Sequence, residues 1–237
     1  MSDPVAALAD PAATESVSDN VAFVLGANFV SPTAAIAAIV EAVVDKNPYK
    51  WAGEQVAGDW EAVKKAASAA GNLGRFGASV GDNMRAEWTQ VDQTWNGNAA
   101  AAAAAHFGRL ATQIEATQID FAEIERALLN IGNSMDNLGR ALGDILQEIT
   151  DWGLIYWANK LIAAASPDPT GISRGAALTM MAVAAAKMYL KINSMMSIVA
   201  AAYMSISASV GVIQGLASNW PNALPTLSTG SYDHRGV

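Results

Sequence analysis

The sequence predicts an all-α protein, an elongated helical bundle built on one long antiparallel hairpin, with a short helix before it and an Ala-rich helical region after it. Apolar residues recur every three or four positions through two long stretches, and Trp95-Asn96-Gly97 lies between them. Composition agrees, because 52% hydrophobic and 15% charged residues leave many side chains to fill a core. We therefore expect a folded chain rather than a disordered acidic one.

The first long stretch begins at Asp59, which we expect to cap a helix. Four glycines also recur at helical spacing, and each costs about 1 kcal/mol of helix propensity relative to alanine. Small residues at this spacing favour the close approach of a neighbouring helix over mere compositional bias. The glycines are Gly71, Gly74, Gly77 and Gly81, and the apolar or small positions are Trp60, Val63, Ala67, Ala70, Leu73, Phe76, Val80, Met84, Trp88, Val91 and Trp95.

The second long stretch opens with the alanine run from Ala99 to Ala105 and carries the clearest pattern in the chain. Its apolar residues alternate steps of four and three, a period of 3.5 that keeps one edge of a helix facing a partner. This apolar edge predicts packing as in a left-handed coiled coil. Its residues are Ala103, Phe107, Leu110, Ile114, Thr117, Phe121, Ile124, Leu128, Ile131, Met135, Leu138, Leu142, Ile145, Ile149 and Trp152.

A short helix is predicted upstream, over 34–44. Ser31 and Pro32 supply its N-cap and first-turn proline, and Pro48 ends it. The following segment, 47–60, breaks the helical pattern and is expected to be irregular.

The two long helices have unequal lengths. Residues 59–94 would make about 54 Å of helix and residues 98–152 about 80 Å, at 1.5 Å per residue. If they fold back on each other, the apolar edge over about 134–152 stays uncovered. The short upstream helix is about the right length to pack there, which predicts a three-helix end.

The third region carries only two charges between Ala176 and Ser218, Lys187 and Lys191. Serines and asparagine interrupt its apolar residues, so burial inside a bundle and contact with a membrane through 176–217 both stay open. The expected organisation is a mobile arm at 1–30, a helical bundle with the hairpin at 31–165, this sparsely charged region at 166–218, and a loose tail at 219–237.

Several classes of function are excluded or disfavoured. A net charge of -8 disfavours nucleic acid as a partner, and the absence of cysteine together with only two histidines disfavours metal sites and most catalysis. We expect no cofactor and no enzymatic activity. His106 and the acidic patch near Phe121 are interpreted as surface or packing residues; the patch comprises Glu115, Asp120, Glu123 and Glu125.

Aromatic residues cluster where the heptad pattern ends. Trp152, Tyr156 and Trp157 lie just before the sparsely charged region. Amphipathic rings at such a boundary would suit an anchor at a membrane surface or in a partner groove.

The turn motif, with a long amphipathic helix on each side, resembles the WxG superfamily of helical-hairpin (early secreted antigen-like) substrates of type VII secretion. Gly97 can adopt a backbone conformation closed to other residues, and Trp95 ends the apolar stripe. The upstream Asn47-Pro48-Tyr49 and Gly58-Asp59-Trp60, and the downstream 169–189 segment, are similar to the longer actinobacterial members.

This resemblance implies a secreted, non-enzymatic protein in the cell envelope or outside the cell, acting through helix–helix association as a homo-oligomer or with a WxG-type partner chain. The secretion machinery would recognise Trp95, Asn96 and Gly97. No Sec or Tat signal peptide is expected, since no Lys or Arg precedes Lys46. The second export element of the family, Tyr-x-x-x-Asp/Glu, is absent from this sequence, and a partner chain could supply it.

Two alternative functions stay open. One is a membrane-active or pore-forming protein that inserts 176–217. The other is a targeting module that has lost a C-terminal toxin domain.

Overall fold

The computed structural model describes residues 3–12, 33–165 and 170–219. Within these residues the secondary structure is five α-helices and one short 3-10 turn, with no strand, which confirms the all-α class. The 3-10 turn is Pro4–Ala7, and the helices are α1 (Thr33–Val44), α2 (Pro48–Val56), α3 (Trp60–Val91), α4 (Asn98–Ala165) and α5 (Ile172–Asn219).

The chain divides into two compact units drawn from separated stretches of sequence. The first, which we call the hairpin unit, takes its described residues from 3–12, 62–130 and 208–219. The second, the four-helix unit, takes them from 33–61, 131–165 and 170–207. Helix α4 contributes to both units, and so does α5.

In the hairpin unit α3 and α4 run antiparallel, as predicted. The contacts of α3 with α4 move back along α4 as α3 advances, from Gly71 against Glu125 to Gly81 against Ala111. Arg85 then forms an ion pair with Glu115 and donates a hydrogen bond to Thr112 Oγ1 at 3.0 Å.

The glycines of α3 lie against α4, so the prediction of close packing is confirmed. A Cβ added at Gly74 would stand 3.1 Å from the Cβ of Phe121 and 3.4 Å from the carbonyl oxygen of Gln118. A Cβ at Gly81 would stand 3.0 Å from the carbonyl oxygen of Ala111. The glycines thus allow the two backbones to approach, and the lost helix propensity is offset by the packing that this approach permits.

In the four-helix unit the apolar edge of α4 is buried from Ile131 to Ile149, and α1 packs against it as predicted. Val40 of α1 is 0% exposed, and Gly153 of α4 lies against α1, where a Cβ would stand 3.0 Å from Ile36 Cγ2. The core is more extensive than the predicted three-helix end because α2 and α5 also join it. From α4 it includes Met135, Leu138, Leu142, Ile145, Leu146 and Ile149, and from α5 Met188, Met195 and Val199.

The predicted irregular segment 47–60 is wrong for most of its length, because residues 48–56 form α2. Asn47 caps this helix, accepting hydrogen bonds at 3.1 Å from the backbone amides of Tyr49 and Lys50, and Pro48 occupies the first turn. The cap and proline are a recognised start signal, and the proline, Pro48, is the same residue that ends the preceding helix pattern. A helix of only nine residues gave too short a periodic pattern to stand out.

Helix α5 runs antiparallel to α4 within the four-helix unit. Lys191 pairs with Glu148, and fourteen residues later the Ser205 hydroxyl lies 3.2 Å from that of Ser134, fourteen residues earlier on α4. One face of α5 is buried at steps of four and seven residues. The buried residues of this face are Ala177, Ala184, Met188, Met195 and Val199.

Many apolar side chains on the rest of α5 are exposed. In the described part of the chain α5 is the one helix that is long and apolar enough, by length and composition, to cross a bilayer, with a mean hydropathy of 1.8 over its most apolar window. Only 17% of that window is buried. Its large exposed side chains therefore lack a partner within the described residues.

The ends of the chain are described in part. Residues 3–12 of the predicted arm form the 3-10 turn and contact α3, where Asn72 Nδ2 donates to the carbonyl oxygen of Ala9 at 2.7 Å. The remainder of the arm, with the predicted cap at Ser31 and Pro32, and the tail at 220–237 lie outside the described residues.

Tyr49 joins α2 to α4 within the core. Its hydroxyl shares a hydrogen bond with Thr150 Oγ1 at 2.7 Å. Burial raises the pKa of this phenol above its ordinary value of 10.0, and the Asp151 carboxylate adds to the rise while the Thr150 hydrogen bond opposes it.

Gly74→Val should destabilise the hairpin unit. The added methyl groups would meet Phe121 and the α4 backbone, an overpacking that costs about 1–3 kcal/mol. Gly108→Val is the matched control, because a Cβ there meets nothing within 4 Å; it should change the free energy of unfolding by less than about 0.5 kcal/mol. Urea denaturation followed by circular dichroism measures both, and equal effects would contradict close packing at Gly74.

Tyr49→Phe should lower the free energy of unfolding by about 0.5–1.5 kcal/mol at neutral pH, through loss of the hydrogen bond to Thr150. The raised pKa means that the folded protein keeps the phenol proton where the unfolded chain releases it. The free energy of unfolding of the wild type should therefore fall relative to that of the variant once the pH exceeds 10.0, the ordinary pKa of tyrosine. The fall should continue until the pH passes the raised pKa of Tyr49 in the folded protein. Urea denaturation between about pH 7 and 11 tests this; a wild-type-to-variant difference independent of pH would contradict it.

Candidate functional site at the hairpin tip

The turn between α3 and α4 is built by residues 92–97. Helix α3 ends at Val91, whose carbonyl oxygen accepts a hydrogen bond from the Trp95 amide at 3.0 Å. Gly97 has φ +104°, a conformation that favours glycine, and its carbonyl oxygen accepts the first α4 hydrogen bond, from Ala101 at 3.0 Å. A Cβ at Gly97 would meet nothing within 4 Å, so the backbone conformation, and not lack of space, is what selects glycine here.

Three aromatic rings pack together beside this turn. The ring centroid of Trp88 on α3 lies 6.0 Å from that of Trp95 and 5.6 Å from that of Phe107 on α4, with an interplanar angle of 29° in the second pair. His106 meets Phe107 edge-on at 5.5 Å. Trp88 thus links the turn to both helices, while Trp95 keeps 41% of its surface exposed. The predicted position of Trp95 at the end of the apolar stripe agrees with this arrangement.

An open apolar groove of about 530 Å³ lies beside these rings. Its lining is hydrophobic apart from Asn83 and Glu87, and its outer wall includes Pro4 from the N-terminal segment. Concave apolar surfaces with a few polar groups are the usual setting for binding. The other lining residues are Val80, Met84, Trp88, Val91, Trp95 and Phe107.

The N-terminal segment is held on α3 by a buried amide. Asn72 is 7% exposed, and its Nδ2 donates to Ala9 while its Oδ1 accepts from Arg75 Nη2. Both ends of the amide are therefore occupied. This contact, with Pro4 at the groove, fixes residues 3–12 against the hairpin; sequence reasoning missed it because Asn72 resembles any polar helix residue.

The residues expected to form the export determinant lie together at the tip. Trp95, Asn96 and Gly97 are consecutive in the turn, and all three are exposed. The candidate aromatic anchor lies elsewhere, on α4 in the four-helix unit. Trp152 and Tyr156 pack partly buried against the core, with Lys187 Nζ 6.0 Å from the Trp152 ring centroid, whereas Trp157 is 46% exposed.

Two residues of the acidic patch on α4 contact α3. Glu115 pairs with Arg85, and the carboxylate of Glu125 occupies the space above Gly71. In the described part of the chain no group of three or more histidine, aspartate or glutamate side chains is placed to hold a metal ion. The chemistry that the tip offers is apolar and aromatic contact flanked by hydrogen-bonding groups.

No protein-family model matches the chain, and no curated protein or solved structure matches it either. Its function must therefore be inferred from the fold and from the residues of the hairpin tip.

The stacking of Trp88 on Phe107 should stabilise the tip beyond the area that it buries. A double-mutant cycle with Trp88→Leu and Phe107→Leu should give a coupling energy of about 0.5–1.5 kcal/mol by chemical denaturation. A second cycle pairing Phe107→Leu with Trp157→Leu is the control, since Trp157 belongs to the other unit. Coupling near zero in the first cycle would contradict an organised aromatic cluster.

Proposed function

We propose that this protein is a non-enzymatic substrate of type VII secretion of the WxG hairpin type, which acts by binding other helices. The observation that carries the proposal is the position of Trp95-Asn96-Gly97. The motif lies in the reversal between two long antiparallel helices, with Gly97 in the conformation that a tight turn favours and Trp95 half exposed. This is the context in which the motif is informative, since a Trp-x-Gly sequence alone occurs by chance.

The tip is suited to recognition because Trp95 is exposed and yet packed on one side. The indole of Trp95 packs against Trp88, whose ring stacks on Phe107. A side chain held in place in the free protein loses little conformational entropy on binding. Aromatic anchors of this kind dominate binding energy at protein interfaces.

The adjacent groove supports a binding role. It adjoins the exposed indole, and Asn83 and Glu87 offer hydrogen bonds at its edge. A receptor of the export machinery could insert an apolar side chain there while contacting Trp95. The proposed mechanism is therefore docking of the tip to the machinery, with the hairpin packing supplying the stability.

The proposal includes a partner. The absent Tyr-x-x-x-Asp/Glu element would come from a WxG-type partner chain. The expected location is outside the cell or in the cell envelope.

Export is tested by comparing culture supernatants of the wild-type producing strain and of a strain lacking the type VII ATPase. The protein should reach the supernatant only in the first strain. Trp95→Ala should reduce the exported fraction at least about tenfold, because it removes the exposed anchor and leaves the turn glycine intact.

Trp157→Ala is the matched control, since Trp157 is similarly exposed but lies in the other unit. It should be exported like the wild type. Circular dichroism and cytoplasmic levels establish that both variants fold and accumulate. Equal export with and without the ATPase, or equal loss from both variants, would overturn the proposal.

A further inference from the structure

The outward surface of α5 in the four-helix unit is too apolar to be left in water. Met188 and Met195, on the inward face, are fully buried, whereas large apolar side chains on the opposite side are 40–68% exposed. Contiguous exposed apolar surface of this kind marks an interaction site. We call this surface the outer face of α5; its large residues are Val183, Tyr189, Leu190, Met196, Tyr203 and Met204.

The spacing of these residues favours another helix as the occupant. Tyr189, Met196 and Tyr203 repeat every seven residues. A second row with the same period contains Val183, Leu190 and Met204, with Ser197 at the remaining position. Residues repeated every seven positions stay in contact with a second helix that supercoils around the first. Binding to a flat surface does not require a seven-residue period.

Charge argues against a lipid surface. Helices that bind the bilayer surface carry Lys or Arg beside their apolar face, and anionic headgroups attract those residues. Of the three basic residues of α5, Lys191 pairs with Glu148 and Lys187 lies near the Trp152 ring, both within the four-helix unit. The third, Arg174, lies in the first turn of α5, nine residues before the outer face begins at Val183. No charged residue follows from Ile192 to Asn219, and the chain as a whole carries -8.

The middle of the outer face suits a two-fold axis. Between the two rows lies a row of small or polar exposed residues, also seven apart, formed by Asn193, Ala200 and Ser207. An antiparallel copy crossing at Ala200 would place Asn193 opposite Ser207, where amide and hydroxyl can hydrogen-bond, and Met196 opposite Met204. Alanine at the crossing allows close approach, and an isologous contact of this kind closes as a dimer.

Two exposed serine hydroxyls of α5 can be covered without losing hydrogen bonds. Ser194 Oγ donates to the carbonyl oxygen of Leu190 and Ser197 Oγ to that of Asn193, each at 3.1 Å. Both are satisfied within α5. Covering them therefore avoids the desolvation cost of an unpaired polar group.

We propose that the outer face of α5 binds a second copy of this chain, with the two α5 helices antiparallel and crossing at Ala200. The contact uses one helix face from each copy, which places it at the small end of specific interfaces, so the dimer should dissociate on dilution. This self-association does not depend on the export proposal and can hold whether or not the protein is secreted.

The absence of cysteine from the whole chain makes cross-linking a direct test. Ala200→Cys should form a covalent dimer under mild oxidation, because the two Cα atoms would approach within the roughly 4.4–6.8 Å that a disulfide spans. Ala116→Cys, an equally exposed alanine on α4 in the hairpin unit, is the control and should stay monomeric on a non-reducing gel. A dimer of the control alone, or of neither variant, would overturn the proposal.

Orientation is tested by mixing Asn193→Cys with Ser207→Cys, using full-length chains of which one carries a mass tag. An antiparallel contact should give mainly the mixed disulfide, since each position faces the other. Predominant cross-linking of each variant with itself would mean parallel helices and would overturn the antiparallel assignment.

Light scattering over a concentration series separates a second copy from a bilayer. Leu190→Glu with Met204→Glu should raise the dimer dissociation constant at least about tenfold, because each buries a charge. Met180→Glu, exposed but outside both rows, should leave it unchanged. A wild type that stays monomeric and floats with phosphatidylcholine vesicles, with flotation lost in the double variant, would identify the bilayer as occupant and overturn the proposal.

Discussion

The apolar edge of α4 is the constraint on which the rest of the structure depends. One continuous helix carries a 3.5-residue repeat over most of its length, and each part of that edge must be covered. In the hairpin unit the cover is α3, with glycines at the contact. In the four-helix unit it is α1 with α5, and there Leu142 and Ile149 are fully buried. The same repeat therefore supports two different kinds of packing.

The difference between these two kinds of packing has a physical cause. Glycine brings two backbones close but supplies no side chain to surround the opposing residues, so Phe121, which lies against Gly74, stays partly exposed although it continues the repeat. In the four-helix unit, branched and long side chains from α1 and α5 enclose Leu138 and Met135 instead. Close backbone approach and deep side-chain burial are alternative ways to cover one apolar edge.

The hairpin tip and the outer face of α5 are the two surfaces on which function would depend. At the tip, Trp88 packs against Trp95 and Gly97 makes the turn. On α5 the apolar residues surround the helix, so its inward face fills the core and its outward face is available to a partner. The polar groups Asn72 and Arg85 hold segments of the chain together.

The sequence alone determined the helices whose periodic pattern was long enough to exceed chance, the turn at Gly97, the close approach at the α3 glycines, and the packing of the short N-terminal helix on α4. Each follows from local spacing or from rise per residue. The nine-residue α2 was not predicted, because a helix of about two turns contains too few positions to show a periodic pattern.

Only the tertiary structure decided which face of α5 is buried. This helix is apolar all round, so composition cannot distinguish its inward side from its outward one; the antiparallel register with α4, marked by Lys191 and Ser205, makes that choice. The docking of the N-terminal segment through Asn72 likewise depends on residues far apart in sequence. The local sequence pattern indicates which side chains of a helix could be buried. The helices that pack against it in the folded protein determine which of them are buried.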